Sequence, residues 1–150
     1  MGVIVVGVDH SAGAKAALRF ALDEARFRQA RLRAVYAWQF GYVGAGFIGG
    51  SYPVLGGELD ELRGAAEAAL DATLREAIPD AGEVEIERRV VEGAPGAVLV
   101  EESRGADLLV VGSRGHGGFA GLLLGSVSQQ CAHHAECPVV IVRASSAKPD

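Results

Sequence analysis

A glycine-rich segment in the last third of the chain carries the residues best suited to binding chemistry. Its glycines follow the spacing Gly112-x2-Gly115-x9-Gly125, and a predicted helix opens directly afterwards with Ser126, Val127 and Ser128. Glycines let the backbone turn freely and let a bulky anion approach its amides. The unpaired amides and positive dipole end of a helix start attract anions, and the two serine hydroxyls add donors. The segment therefore predicts a phosphate-binding turn.

A lone carboxylate, Asp9, is the second candidate, and the elements around it place it near the first. The run Val3–Val8 is apolar throughout and β-branched except for one glycine, as in a parallel strand buried on both faces. Residues 107–111 are predicted to form a second buried strand, which Gly112 directly follows. In a right-handed doubly wound sheet of order 3-2-1-4-5 these two strands are neighbours, and ligands bind at their carboxyl ends. We therefore expect Asp9 and Gly112 to border one crevice.

The remaining elements complete this α/β architecture. Ser11 is the predicted cap of a first helix, whose apolar stripe is Ala17, Leu18, Ala21, Leu22 and Ala25. A second helix has the apolar positions Leu59, Leu62, Ala66, Leu70, Leu74 and Ala77. Two more helices are predicted from Pro95 to about Ser103 and from Ser126 to about Ala135, and three more strands at Leu32–Trp38, Val84–Val91 and Val139–Val142. The prediction is one Rossmann-like domain, residues 1–143, with a five-stranded parallel sheet of order 3-2-1-4-5, helices on both faces, and a loose tail at 144–150.

The stretch Gly41–Gly57 is predicted to be a loop because seven glycines and Pro53 interrupt any helical or alternating pattern. Its aromatic residues and those just before it have three possible roles: a lid over a bound ligand, a surface for a partner, or packing on the sheet. They are Trp38, Phe40, Tyr42, Phe47 and Tyr52.

Composition excludes several classes of partner. The 150 residues carry a net charge of −5, and the 14 Lys and Arg residues are scattered, so the clustered cations that bind nucleic acid are missing. No run reaches the ~20 apolar residues of a membrane span, and we expect a cytoplasmic protein. In that reducing environment Cys131 and Cys137 are expected to stay unpaired. Their spacing with His134 is poor for zinc, which favours a buried thiol acting as a small hydrophobe.

The motifs together resemble the universal stress protein family. The glycine spacing with Ser126 matches the ATP-binding signature of that family. Further similar segments are Val5-Val6-Gly7-Val8-Asp9, Val91-Glu92-Gly93-Ala94-Pro95 and Cys137-Pro138-Val139-Val140-Ile141-Val142. The resemblance extends from Val3 to Arg143. His10 and Gly13 depart from it, since the family often has a small residue and a serine at these positions.

The resemblance implies an ATP site, with Mg²⁺ on the phosphates, and a homodimer paired through Val139–Val142. Residues expected near adenine and ribose are Val8, Asp9, Ala37 and Val91. Residues expected near ribose and the α-phosphate are Gly112, Arg114 and Gly115. Residues expected at the outer phosphates are Gly125, Ser126, Val127 and Ser128. His116 is either a pH-sensitive contact in this segment or a solvated loop residue.

The sequence lacks the motifs of an assembled catalytic apparatus. The Gly-Lys-Ser/Thr of the P-loop and the G-x-S-x-G of a nucleophile elbow are both missing from the sequence. Rapid phosphoryl transfer needs a positioned base and charge clamps, so at most slow hydrolysis is expected. The leading hypothesis is an ATP-binding regulator with a role in stress response. The alternatives are an adenylating or pyrophosphate-releasing enzyme, a nucleotide-free dimeric scaffold, and a cyclic AMP binder.

Overall fold

The structure is a computed structural model that describes residues 1–9, 11–39, 42–43, 46–47, 56–113 and 124–144. Its helices and strands, in chain order, are β1 (Val3–Val8), α1 (Ala12–Arg28), β2 (Arg31–Trp38), β3 (Tyr42–Val43), β4 (Gly46–Phe47), α2 (Gly56–Ala77), β5 (Ile86–Glu92), α3 (Pro95–Glu102), β6 (Leu108–Gly112), α4 (Ser126–His134) and β7 (Val139–Val142).

Five of the strands form one parallel sheet in the order β5-β2-β1-β6-β7. Counted along the chain without the short strands β3 and β4, this is the predicted order 3-2-1-4-5, which the structure confirms. The register pairs Val8 with Tyr36 on one side of β1 and Val6 with Val110 on the other. All carboxyl ends therefore meet at one edge of the sheet, where Asp9 and Gly112 follow neighbouring strands.

The sheet separates two apolar cores, and strand residues contribute to them alternately. Ile4 and Val6 of β1 pack with α1 and α2 on one face. Val5 of the same strand packs with α3 and α4 on the other face. Full burial of such a side chain contributes about 1.5–3 kcal/mol. Two covered faces explain why the central strands are continuously apolar.

Helix α1 follows the prediction closely, and α2 follows it in part. The whole predicted stripe of α1 is buried, and α1 ends where Gln29 adopts a left-handed φ of 57°. In α2 the second half of the predicted stripe, from Ala66 to Ala77, is buried. Leu62 in the first half is 38% exposed, so this residue contributes little to the core formed by the described residues.

The predicted loop Gly41–Gly57 contains regular structure, which corrects the prediction at three points. Strands β3 and β4 pair antiparallel, with Tyr42 opposite Phe47 and Val43 opposite Gly46. Helix α2 begins at Gly56, inside the predicted loop. The glycine count concealed the aromatic and β-branched residues, which favour strands. Phe40, Tyr52 and residues 145–150 of the predicted tail lie outside the described residues, so the three alternatives for the aromatic residues stay predictions.

Within the described part of the chain, no helix combines the length and the apolar character that a membrane crossing requires.

Candidate functional site

A pocket opens at the carboxyl edge of the sheet, between the ends of β1 and β6. Its empty volume is about 590 Å³, including the space at its mouth. Its walls come from β1, β2 and β6 and from the first turns of α1, α3 and α4. The lining residues are Gly7, Val8, Asp9, Ser11, Ala14, Val35, Ala37, Pro95, Leu99, Val111, Gly112, Val127 and Ser128. The pocket lies at the switch point of the doubly wound sheet, where such folds bind their ligands.

The structure brings most of the predicted binding residues together. Those that line the pocket are Val8, Asp9, Ala37, Gly112, Val127 and Ser128. Val91 packs instead against the core under α3 and α4, while Gly125 is buried and Ser126 is exposed at the start of α4. Arg114, Gly115 and His116 lie outside the described residues.

Sequence reasoning missed the residues that form the apolar walls. Val35 lies two positions before Ala37 on β2, so the two share a face of the sheet. Leu99 lies one helical turn after Pro95 on α3, so both can face the same space. These two periodicities were visible in the sequence. The other lining residues that were not predicted to bind a ligand are Gly7, Ser11, Ala14, Pro95 and Val111.

The Asp9 side of the pocket is organised by Ser11. Oδ1 of Asp9 accepts hydrogen bonds from the backbone amide of Ser11 at 2.8 Å and from its hydroxyl at 2.6 Å. The hydroxyl oxygen of Ser11 in turn accepts a hydrogen bond from the amide of Ala14 at 3.1 Å, which caps α1 as predicted. The carboxylate is therefore held in place through Oδ1.

The Asp9 carboxylate also acts electrostatically on Tyr36 of the neighbouring strand β2. Tyr36 is paired in register with Val8, the residue before Asp9. The pKa of Tyr36 is raised above its ordinary value, first because the ring is partly buried and second because the Asp9 carboxylate opposes a phenolate. This side of the pocket thus favours groups that donate hydrogen bonds and disfavours further anions.

The end of β6 packs closely against the backbone at the start of α1. A Cβ added to Gly112 would lie 3.0 Å from the carbonyl carbon and oxygen of Gly13. Backbone atoms cannot move aside as a flexible side chain can. Gly13, which departs from the family pattern, is buried at this contact. The pair of glycines therefore sets the distance between α1 and β6 at the pocket.

The two ends of the glycine-rich segment are joined at its base. The amide of Ser113 donates to the carbonyl of Val142 at 2.8 Å, and the amide of Gly125 donates to the carbonyl of Ser113 at 2.7 Å. The hydroxyl of Ser128 lies 2.8 Å from the carbonyl of Ser113 and 3.0 Å from that of Gly125. Ser128 is 2% exposed, and its hydroxyl donates to these backbone carbonyls; its contact with a phosphate stays a prediction.

Helix α4 begins at the pocket without a side-chain cap. Its N-cap is Gly125, which has no side chain to accept from the first amides. Its first turn contains no acidic residue either. Unpaired amides at a helix start carry a partial positive charge, which a phosphate can satisfy. The site thus combines a carboxylate on one side with an anion-attracting helix start on the other.

The two cysteines lie below this site, in the core under α4. Cys131 is completely buried, and burial raises its pKa to about 11, with a smaller contribution from Cys137. A thiol with so high a pKa remains protonated at neutral pH, as expected of a residue that only fills space. Among the described residues, no group of three or more potential metal ligands comes together.

Comparisons with known proteins agree on one family. The model of the universal stress protein family matches residues 1–143. A universal stress protein of Mycolicibacterium smegmatis is 37% identical over 143 residues, which cover 93% of this chain and 45% of that protein. The chain thus spans about half the length of the curated relatives that it matches.

Solved structures give the same result. Universal stress protein UspA from Lactobacillus plantarum superposes with a TM-score of 0.77 at 25% identity, covering 95% of this chain and 97% of that one. A universal stress protein in complex with cAMP superposes with a TM-score of 0.61 at 32% identity, covering 96% and 98%.

Proposed function

The chain belongs to the universal stress protein family, and from that premise we propose that it is a regulatory protein that binds ATP together with Mg²⁺. The observation that carries the proposal is the pocket between Asp9 and the uncapped start of α4. Its two ends differ in charge as the two ends of a nucleotide do.

The base and the ribose fit the Asp9 half of the pocket. Val35, Ala37 and Leu99 provide apolar walls for a flat base. Asp9, held by Ser11 through Oδ1, offers Oδ2 to the ribose hydroxyls. A hydrogen bond to a charged acceptor contributes about 1.5–3 kcal/mol, enough to orient the sugar.

The phosphates fit the α4 half. The first amides of α4 and those of the glycine-rich segment are the proposed donors, with Gly115, Gly125 and Ser126 at the predicted contacts. Such a site explains how a chain of net charge −5 could hold a polyanion without a basic patch.

We propose Mg²⁺ in the same half, on the phosphates. This cation keeps several waters and binds through substrate phosphates and one or two carboxylates. Asp9 is the carboxylate among the described lining residues, and Ser11 already holds it. The phosphates would therefore supply the bonds to the metal, and its charge would offset theirs.

A nucleotide as the ligand class is supported by the relative solved in complex with cAMP, at 32% identity. In the proposed mode the pocket walls would contact the base and the sugar, which ATP and cyclic AMP share. The free phosphate chain of ATP makes fuller use of the α4 helix start than a cyclic phosphate does. This argument favours ATP, and cyclic AMP is the second candidate.

Regulation rather than catalysis is the proposed outcome of binding. The polar side chains that line the described pocket are Asp9, Ser11 and Ser128, and hydrogen bonds within the protein engage each of them. Rapid phosphoryl transfer also needs charge clamps, and no Lys, Arg or His is among the lining residues that the structure describes. We propose slow hydrolysis at most.

A homodimer through β7 is the proposed assembly. The strand β7 lies at an edge of the sheet, and every residue of Val139–Val142 is apolar and only partly buried in this chain. Apolar edges favour pairing with a second strand. A cytoplasmic location remains the expectation from the sequence.

Calorimetry on the purified, nucleotide-stripped chain tests the proposal, with ATP, ADP and cyclic AMP as titrants in the presence of Mg²⁺. We expect ATP to bind most tightly. Gly115→Val should abolish binding and leave the thermal unfolding midpoint unchanged. Gly64→Val is the matched control, because a Cβ at Gly64 in α2 has nothing within 4 Å. Failure of all three nucleotides to bind would overturn the proposal.

A further inference from the structure

Helix α3 connects the pocket with a charged cluster at the opposite end of the helix. Its first residue, Pro95, and Leu99 line the pocket, and its last residue is Glu102. The helix has eight residues, which corresponds to about 12 Å. A displacement along this short helix therefore moves a pocket wall.

The cluster joins α3 to β2 and β5, and we call Arg33, Arg89 and Glu102 the α3 clamp. Arg89 binds both carboxylate oxygens of Glu102, with Nε and one terminal nitrogen each at 2.9 Å. Arg33 donates to the backbone carbonyl of Glu102 at 2.9 Å, and its Nε donates to Glu87 at 3.0 Å. Both the side chain and the carbonyl at the end of α3 are thus fixed to the sheet.

The clamp is shielded from water on its Glu102 side. The side chain of Glu102 is 13% exposed and that of Arg33 is 24% exposed, whereas that of Arg89 is 46% exposed. Bidentate arginine–carboxylate pairs are geometrically specific and stronger than neutral hydrogen bonds. The pKa of Glu102 is lowered, chiefly because Arg89 donates to its carboxylate. These contacts make the clamp a defined anchor.

The pocket end of α3 is held by backbone hydrogen bonds and apolar packing rather than by an ion pair. Ala94 at the N-cap makes no side-chain cap hydrogen bond. Just before it, the amide of Gly93 donates to the carbonyl of Trp38 at 2.7 Å. Leu99 packs so closely on β1 that a Cβ on Gly7 would lie 2.6 Å from its Cδ1. The position of α3 therefore controls how Leu99 fills the pocket wall.

We propose that Arg33, Arg89 and Glu102 are positioning residues of the nucleotide pocket, which act by holding α3 so that Pro95 and Leu99 shape the wall that contacts the base. This inference rests on the proposed function. The clamp residues lie away from the pocket lining, so they touch no nucleotide and act through α3.

Glu102→Gln tests the clamp, and Glu101→Gln is its matched control. Glu101 is the neighbouring residue with the same charge, but its side chain is 70% exposed and pairs with Arg104. The measurements are the Kd for ATP by calorimetry and the hydrogen exchange of the Val98 amide in the nucleotide-free protein. That amide donates to the carbonyl of Ala94 at 2.9 Å, in the first turn of α3 and one helical turn before the substituted residue.

We expect Glu102→Gln to raise the Kd about tenfold and to speed Val98 exchange beyond any change in global stability. Glu101→Gln should change neither quantity. Arg89→Lys keeps the charge and one hydrogen bond, so it should give an intermediate Kd, and it serves as the test if Glu102→Gln does not fold.

A lower unfolding midpoint in Glu102→Gln with an unchanged Kd and unchanged Val98 exchange would show a merely structural ion pair and overturn the inference. If the parent chain binds no nucleotide, the proposed function fails. Val98 exchange in the nucleotide-free protein then still decides whether the clamp holds the pocket end of α3.

Discussion

Of the three helices that begin at the pocket, α1 and α4 complete their first turns in different ways. At α1, Ser11 accepts from the amide of Ala14 and donates to Asp9, so the protein's own side chains satisfy the helix start. At α4, the N-cap is Gly125, and no side chain caps the first amides. A polyanion therefore gains more at α4 than at α1, where Asp9 would repel it. Two helix starts at one pocket can therefore suit opposite ends of one ligand, α1 through the Asp9 carboxylate and α4 through its uncapped amides.

The largest expected effect comes from placing a carboxylate at the first position of each helix. Ser126→Glu in α4 and Ala12→Glu in α1 both add one exposed negative charge. Each should raise the free energy of unfolding by about 0.3–1 kcal/mol through the helix dipole. Ser126→Glu should weaken ATP binding about a hundredfold, because like charges about 4 Å apart cost ~1–4 kcal/mol near a protein surface.

Ala12→Glu should weaken ATP binding much less. Calorimetry and chemical denaturation of both variants measure the two effects separately. An equal loss of affinity in the two variants would contradict the assignment of the phosphates to α4.

The next effect concerns the sugar side of the pocket. Asp9→Asn keeps an acceptor for Ser11 but removes the charge, so it should weaken ATP binding about tenfold with little change in stability. Dideoxy-ATP, which lacks the ribose hydroxyls, provides the control. In the parent chain it should bind more weakly than ATP, and in Asp9→Asn this difference should shrink. An undiminished difference would place the ribose elsewhere.

A smaller effect measures the two helix caps directly. Ser11→Ala removes the acceptor of the Ala14 amide and should lower the free energy of unfolding by about 1 kcal/mol. Ser126→Ala removes an exposed hydroxyl that caps no helix amide, so the change should stay within about 0.5 kcal/mol. Urea denaturation of both variants in the nucleotide-free protein compares them. A larger loss in Ser126→Ala would show that α4 has a cap of its own.

The smallest effect is the influence of Asp9 on Tyr36. Because the folded-state pKa of Tyr36 is raised, its contribution to stability is complete below the unfolded pKa of about 10 and is lost as the pH rises through the folded value. Asp9→Asn should lower the pKa of Tyr36 yet leave it above the ordinary value, since burial is the larger cause. Tyrosinate absorbance during an alkaline titration measures this shift, with Tyr36→Phe identifying the signal. An unchanged pKa in Asp9→Asn would mean that the carboxylate does not act on Tyr36.

The topology could be predicted from the sequence because it depends on local patterns and general rules of connection. Continuous apolar runs such as Val3–Val8 mark buried strands, and right-handed crossovers order them. Asp9 and Gly112 could therefore be placed at one edge of the sheet. The same reasoning failed for residues 42–47, where glycines obscured a short pair of strands.

The walls of the site could be predicted only in part. Asp9, Ala37, Val127 and Gly112 followed from strand ends and from the family resemblance. Leu99 was not identified, because an apolar residue of a helix looks the same whether it faces a core or a pocket. The prediction of Ser128 as a phosphate donor likewise could not include the carbonyl of Ser113, which lies 15 residues earlier in the chain.

By itself, the sequence determined the four helices and the five strands of the parallel sheet, and the meeting of a carboxylate with a glycine-rich turn. Each of these follows from residue types and spacing within single elements, joined by the handedness of the chain. The tertiary structure alone decided which oxygen of Asp9 is held, that Gly112 rests on Gly13, and that Arg89 binds Glu102 at the far end of α3. The physical reason is that these contacts depend on distances between packed elements, and side-chain rotamers settle only after the backbone has brought the elements together.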